Sequence, residues 1–344
     1  MATAEHLNGV IMGGLSLLVC VIVTLSVHGA AQDNIENCKG GLSNLDNGQS
    51  TALKAFIFIT ATLSFLGSSF IIFSYYYFVE LRSFPLKLIT MLSVSDWFSS
   101  LQFYVGIDNF ANKCFEKYFA CSMSATMGQF FEMASFCWTT VIAFNIYQVL
   151  VARQGERVER YEKVYHAFAW GFPMLLLVVV AATDSLGDAG NWCWIKLDHT
   201  GARWFGYYIP LLVMMMLNGY FYVKIGRGLK SFATGQQVAI VQRLRVYLAV
   251  FLVTRMPSVL NRGYELFAVD HSFFLLLLQS LSAPLQGFCN AVVYGSNKKL
   301  KDQWADFLQT RLGIGRGPPG GTNVTGDGGE FTSMGGGDGQ PDAV

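Results

Sequence analysis

Two stripes of polar side chains follow helical spacing through otherwise apolar stretches of the chain. In the first, Arg255, Ser258, Arg262 and Glu265 are three, four and three residues apart, which sets them on one face of a helix. Arg262 and Glu265 are candidate ligand contacts, since a guanidinium binds phosphate and carboxylate groups well. Alternatively, Arg262 pairs with Glu265 or extends to the lipid headgroups. We expect the deeper Arg255 to form a structural or switching ion pair.

The second stripe is formed by residues that are again at helical intervals, namely Ser122, Thr126, Gln129, Glu132 and Thr139. A carboxylate in an apolar stretch is either protonated or partnered by a cation. Glu132, with Gln129 one turn before it, is therefore either a further ligand contact or the counterion of an arginine in the first stripe.

A third ionisable group, Asp96, lies in an apolar stretch among serines whose hydroxyls can satisfy a carboxylate or help to hold a small cation. These are Ser93, Ser95, Ser99 and Ser100. The position favours a conformational switch. Asn290, Tyr294 and Arg255 are grouped with it as switch residues, and so is Pro257, which removes a backbone donor and permits a kink.

The composition excludes several classes of protein. Of 344 residues, 52% are hydrophobic and 14% are charged, whereas a soluble globular chain carries about 25% charged residues. The 24 basic and 23 acidic residues nearly balance, which leaves no positive excess to bind nucleic acid. The histidines are too scattered for a metal motif, and no GxSxG nucleophile motif is present. We predict a lipid-embedded protein that is not an enzyme and needs neither a metal nor another cofactor.

Stretches of about 20 apolar residues are needed to cross a bilayer as helices. Four runs lack Asp, Glu, Lys and Arg altogether: 55–79, 164–183, 204–223 and 271–297. Three more contain one or a few ionisable groups: 88–107, 118–152 and 246–267. The sequence thus predicts an all-α membrane protein, with a seven-transmembrane helix bundle over residues 53–297.

The two ends of the chain differ from the bundle. Residues 1–31 are predicted to be a signal peptide or an extra N-terminal hydrophobic helix, because an apolar run is followed by small residues suited to cleavage. Residues 32–52 then form a short extracellular tail. Residues 298–312 are predicted to be an amphipathic cytosolic eighth helix, and the glycine-rich residues 313–344 to be a disordered cytosolic tail.

Lysine and arginine concentrate in segments 80–87, 153–163, 224–245 and 298–316, which we therefore expect on the cytosolic side. Under this topology four cysteines face the oxidising outer side: Cys38, Cys114, Cys121 and Cys193. They allow three pairings. A bridge from Cys121 to Cys193 would hold the loop after the fourth span over the mouth of the bundle.

Motifs along residues 52–301 resemble one lineage of seven-span receptors, the slime-mould cyclic AMP receptors and a related plant receptor-like protein. The motifs are Glu80-Leu81-Arg82-Ser83-Phe84, Ser95-Asp96, Ser135-Phe136-Cys137-Trp138-Thr139-Thr140, Ile142-Ala143-Phe144, Trp192-Cys193-Trp194, Asn218-Gly219, Asn261-Arg262, Gly287-Phe288-Cys289-Asn290 and Tyr294-Gly295. The resemblance implies a G-protein-coupled receptor with a Cys121–Cys193 loop disulfide, which leaves Cys38 and Cys114 as the second pair.

The resemblance also implies partners. These are a heterotrimeric G protein and a small extracellular ligand, for which the family name suggests cyclic AMP. The G-protein surface would include basic residues at the cytosolic ends of the third, fifth and sixth spans, namely Arg153, Lys224, Arg227, Arg243 and Arg245. The third span lacks the Asp-Arg-Tyr triplet of rhodopsin-like receptors, so their detailed mechanism is not transferred.

Other functions of a seven-span protein fit less well. A retinal protein needs a lysine in its last span, and 272–297 has none. A small-solute transporter is the alternative function, although the odd number of spans and the lack of an evident internal repeat oppose it. We expect a multi-pass protein of the plasma membrane.

Overall fold

The computed structural model describes residue 24 and residues 47–105, 114–189, 192–196, 198–232, 235–267 and 272–312. The first half is almost entirely helical, with α1 (Asn47–Tyr77), α2 (Phe84–Val105), α3 (Cys114–Leu150) and α4 (Glu162–Ala182). Short 3-10 helices, Val79–Leu81 and Gly155–Tyr161, precede α2 and α4.

The second half begins with an antiparallel hairpin of β1 (Leu186–Asp188) and β2 (Cys193–Ile195), in which Leu186 pairs with Ile195. The helices that follow are α5 (Thr200–Arg203), a π-helical turn (Trp204–Tyr208), α6 (Ile209–Phe232), α7 (Gly235–Phe267), α8 (Phe273–Ser282), α9 (Gln286–Gly295) and α10 (Lys298–Leu312). Helices therefore occupy each of the seven stretches that the sequence predicts to be membrane spans.

Within the part of the chain that the structure describes, four helical segments are long and apolar enough to cross a membrane: Thr51–Tyr77, Phe119–Leu150, Val158–Ala182 and Thr200–Gly228. A fifth is α8 with α9 if they are one span, bent by 43° at their break. Pro284 lies in this break, where its ring excludes a regular hydrogen bond. The protein is a helical membrane protein.

The helix α3 lies at the centre of the described residues between 47 and 301, because it packs against α2, α4, α6, α7 and the hairpin. Its aromatic residues Phe130, Phe131, Phe136 and Trp138 are at most 1% exposed. By contrast, Phe205 and Val253 are 73% and 71% exposed, as expected of side chains that face lipid. The polar stripe of α3 is thus held in the interior.

The amphipathic residues predicted at 298–312 do form a helix, α10, in which the rings of Trp304 and Phe307 lie 5.5 Å apart. Its association with a membrane stays a prediction. Residues 1–31, apart from residue 24, and the glycine-rich tail 313–344 lie outside the described residues, as does most of the predicted extracellular tail 32–52.

Candidate functional site

A disulfide joins Cys121, in the N-terminal part of α3, to Cys193 at the start of β2. It fixes the neighbouring Trp194, whose indole Nε1 donates to Gln129 Oε1 at 3.2 Å. Arg203 supports the same strand, because its Nη2 donates to the Ile195 carbonyl at 2.6 Å. The other predicted pair, Cys38 and the side chain of Cys114, lies outside the described residues.

The π-helical turn shapes the next layer of the site. The wider turn leaves the Gly206 carbonyl able to accept a hydrogen bond from Gln129 Nε2, at 2.8 Å. Gly206 has no room for a side chain, as an added Cβ would lie 2.5 Å from Val180 Cγ2 of α4. The two tyrosines that follow, Tyr207 and Tyr208, are both buried and reach different helices.

Glu132 is surrounded by donors from three other parts of the bundle. Its Oε2 accepts from the Tyr207 hydroxyl at 2.6 Å and lies 3.4 Å from Arg255 Nη1 on α7. Its Oε1 accepts from Gln102 Nε2 of α2 at 3.0 Å. Arg255 is 3% exposed, and its guanidinium also lies 4.6 Å from the Phe136 ring centre. The structure therefore brings together Glu132 and Arg255 in a buried ion pair.

A glycine makes the approach of α2 possible. A Cβ added to Gly128 would lie 1.7 Å from Gln102 Oε1, so the amide of Gln102 rests directly on the backbone of α3. Ser124 donates to the Gln102 carbonyl at 2.8 Å and fixes the same contact from one turn away.

A chain of hydrogen bonds continues inward from Arg255. Its Nε donates to Gln286 Oε1 at 3.0 Å, and Gln286 Nε2 donates to Ser135 Oγ at 2.7 Å. The Ser135 hydroxyl donates to Asp96 Oδ1 at 2.6 Å, while Asn290 Nδ2 donates to Asp96 Oδ2 at 2.8 Å. Asp96, Arg255 and Asn290, grouped above by sequence, thus share one network across α2, α3, α7 and α9.

Arg262 lies apart from this network, one layer closer to the outside. Its Nε donates to the Tyr208 hydroxyl at 2.6 Å, and its guanidinium is 5.9 Å from the centre of that ring. The adjacent Asn261 donates to Gln279 Oε1 at 2.9 Å. The side chain of Glu265, the expected partner of Arg262, lies outside the described residues.

Comparison with known proteins assigns the chain to a family. Residues 45–309 match the family described as slime mold cyclic AMP receptor. The chain belongs to this family. The resemblance that its motifs indicated is therefore confirmed, and the protein is a receptor of the G-protein-coupled kind.

Three relatives show how far the similarity of this receptor extends. G-protein coupled receptor 1 of Arabidopsis thaliana is 28% identical over 294 residues, 79% of this chain and 87% of that protein. Cyclic AMP receptor-like protein A of Dictyostelium discoideum is 27% identical, over 76% of this chain and 69% of that protein. Latrophilin receptor-like protein A of the same organism is 30% identical, over 73% of this chain and 80% of that protein.

Elsewhere in the receptor, a cation–π contact joins α6 to α7, and a second lies within α6. The Arg245 guanidinium lies 4.4 Å from the centre of the Tyr222 ring, and its Nη2 would be 3.3 Å from a Cβ on Gly226. Lys224 Nζ lies 5.5 Å from the Tyr220 ring centre. The two other basic residues predicted here are Arg227, which is exposed, and Arg243, whose side chain lies outside the described residues.

Three further predicted residues of the receptor lie outside the network described above. Arg153 follows α3 with a φ of 55°, in the left-handed region. Tyr294 is 2% exposed, and its hydroxyl has no hydrogen-bond partner within the described part of the chain. Pro257 lies inside α7, which continues as one helix past it.

Several residues of the network were missed by sequence reasoning, namely Gln102, Ser135, Trp194, Tyr207, Tyr208 and Gln286. A signal existed for the two glutamines, because an amide within an apolar span needs a partner. For the tyrosines and Trp194 there was none, since aromatic residues are common in spans and in the loops beside them.

Proposed function

We propose that this chain is a seven-span receptor of the plasma membrane that binds a small extracellular ligand, with cyclic AMP the first candidate, and activates a heterotrimeric G protein. The observation that carries the proposal is a network that begins at Trp194, next to the disulfide, and runs through Gln129 to the Gly206 carbonyl, along the backbone to Tyr207, and on to Glu132 and Arg255. From Arg255 it continues through Gln286 and Ser135 to Asp96. Such a path offers a physical connection between an outer binding layer and the inner half of the bundle.

The ligand layer of the proposal consists of Arg262, Glu265, Gln129 and Glu132. Arg262 supplies a half-buried cation next to the Tyr208 ring. A guanidinium next to an aromatic ring suits a small molecule that has both a phosphate and a planar base. This chemistry supports a cyclic nucleotide, which is also what the names of several relatives contain.

The switch of the proposal consists of Asp96, Arg255, Pro257, Asn290 and Tyr294. Asp96, Arg255 and Asn290 are joined by hydrogen bonds in the network. Pro257 lies two residues after Arg255 and weakens α7 at that point. A ligand that favours one arrangement of this network would shift the receptor between two states.

The transducer surface of the proposal is formed by the cytosolic ends of α3, α6 and α7. It would use Arg153, Lys224, Arg227, Arg243 and Arg245 to meet the G protein. In the conformation described here, Arg245 is stacked on Tyr222. We expect this contact to open when the G protein binds.

The test is a binding and nucleotide-exchange assay on the purified receptor, with cyclic AMP as the ligand and a panel of heterotrimeric G proteins. Arg262→Ala should lose both binding and ligand-stimulated exchange. The matched control is Arg227→Ala, which replaces an exposed arginine of the proposed cytosolic surface. It should keep cyclic AMP binding and change only nucleotide exchange on the G protein. Ligand uptake into liposomes without any exchange on a G protein would favour the transporter instead.

A further inference from the structure

One buried guanidinium is connected to two carboxylates, of which Asp96 is buried and Glu132 is partly exposed. Arg255 contacts Glu132 directly, at 3.4 Å. Asp96 is 3% exposed, and within the described ranges it has no lysine, arginine or histidine at ion-pair distance. Instead it is connected to Arg255 through two uncharged side chains, Gln286 and Ser135.

The direction of this chain follows from the chemistry of the groups. An arginine can only donate hydrogen bonds, so Gln286 must present its carbonyl oxygen to Arg255 and its amide to Ser135. The Ser135 hydroxyl then has its single proton available for the carboxylate of Asp96. All three hydrogen bonds run from the cation toward the anion, and hydrogen bonds aligned in this way strengthen one another.

Gln286, on α9, bonds side chains of two other helices. It is 2% exposed and is the first residue of α9, directly after the break at residues 283–285. Its side chain connects α7 to α3, while Ser135 connects α3 to α2. A buried amide is unfavourable unless both of its ends are bonded, and here its oxygen accepts from Arg255 while its nitrogen donates to Ser135, which in turn donates to Asp96.

We propose that Gln286 is a positioning residue that makes the two carboxylates share the charge of Arg255. A change at Glu132 then alters how firmly Asp96 is held, although the two acids do not touch. The inference deepens the proposed function and rests on it for its meaning in signalling, since Glu132 belongs to the ligand layer and Asp96 to the switch. The energetic link itself requires neither ligand nor G protein.

The test is a double-mutant cycle on the purified full chain in detergent, read as the thermal unfolding midpoint Tm. In the native background, Glu132→Gln and Asp96→Asn should be non-additive by about 2 °C or more. In the Gln286→Met background, which keeps the shape but not the hydrogen bonds, the same pair should become additive. Additivity in the native background, or non-additivity that survives Gln286→Met, would overturn the proposal.

Two controls keep the result specific. Gln129→Met removes another buried glutamine, one that bonds Trp194 and Gly206 instead of the chain, so the non-additivity should persist. If Gln286→Met does not fold, Ser135→Ala interrupts the same chain at its next link and should likewise give additivity. Ser93→Ala is its control, since Ser93 bonds the Ile89 carbonyl of its own helix. The cycle uses neither ligand nor G protein. It therefore tests the role of Gln286 even if the proposed receptor function is wrong.

Discussion

Nη1 of Arg255 lies 3.4 Å from Oε2 of Glu132 and joins α7 to α3 in the interior of the bundle. Since the same carboxylate also accepts from Tyr207 and Gln102, four helical segments meet at one anion. Each of those contacts can be removed separately, which makes the site accessible to experiment.

Replacing the carboxylate of Glu132 should strongly lower the free energy of unfolding. Glu132→Gln leaves Arg255 buried without its direct counterion, and breaking a buried pair in this way costs about 3–5 kcal/mol. Chemical or thermal unfolding of the purified protein would measure the loss. Glu80→Gln, on an exposed residue of the loop before α2, is the control. A Glu132→Gln protein as stable as this control would mean that the pair contributes little.

The loop disulfide should stabilise the outer end of the bundle. Cys121→Ser and Cys193→Ser, singly or together, should each lower the free energy of unfolding by about 2–4 kcal/mol, because the bridge closes a long loop. The double variant should be no worse than either single one. Cys289→Ser removes a free thiol and should have little effect. Strictly additive losses at residues 121 and 193 would contradict a bridge between them.

Close packing of Gln102 on α3 predicts opposite effects at two glycines. Gly128→Ala would displace the Gln102 amide and weaken a donor to Glu132, so we expect a loss of about 1–3 kcal/mol. Gly219→Ala, in α6, meets no atom within 4 Å and should be neutral or stabilising by up to about 1 kcal/mol. Equal effects of the two substitutions on Tm would rule out the proposed crowding at Gly128.

The stacking of Arg245 on Tyr222 should restrain the ends of α6 and α7 that form the proposed G-protein surface. A cation–π contact of this kind contributes about 0.5–1 kcal/mol, so Tyr222→Leu should raise basal nucleotide exchange by roughly 2–5-fold. The neighbouring Tyr220→Leu removes a contact to Lys224 of the same helix and should leave basal exchange nearly unchanged. Lower basal exchange in Tyr222→Leu would indicate that the contact belongs to the active state instead.

The sequence was informative where helical spacing carries the signal. Arg255 and Glu132 could be placed on inward faces because charges in apolar stretches must avoid lipid, and the family followed from short motifs. The partners of these charges could not be chosen, since Gln286 and Ser135 come from distant parts of the chain. The contact of Arg262 with Tyr208 was also out of reach, because a π-helical turn changes which side chains face inward. Cysteine positions alone likewise left three pairings for the outer side.

The segment between Cys193 and Tyr207 is tethered at both ends to a single helix, by the bridge to Cys121 and by the hydrogen bond to Glu132. The number of residues between the two attachments must therefore match the distance between Cys121 and Glu132 along α3. We expect one residue inserted or deleted within 194–206 to disrupt either the disulfide or the hydrogen bond to Glu132. We therefore expect natural variation in length to be rarer between Cys193 and Tyr207 than in the segment before Cys193.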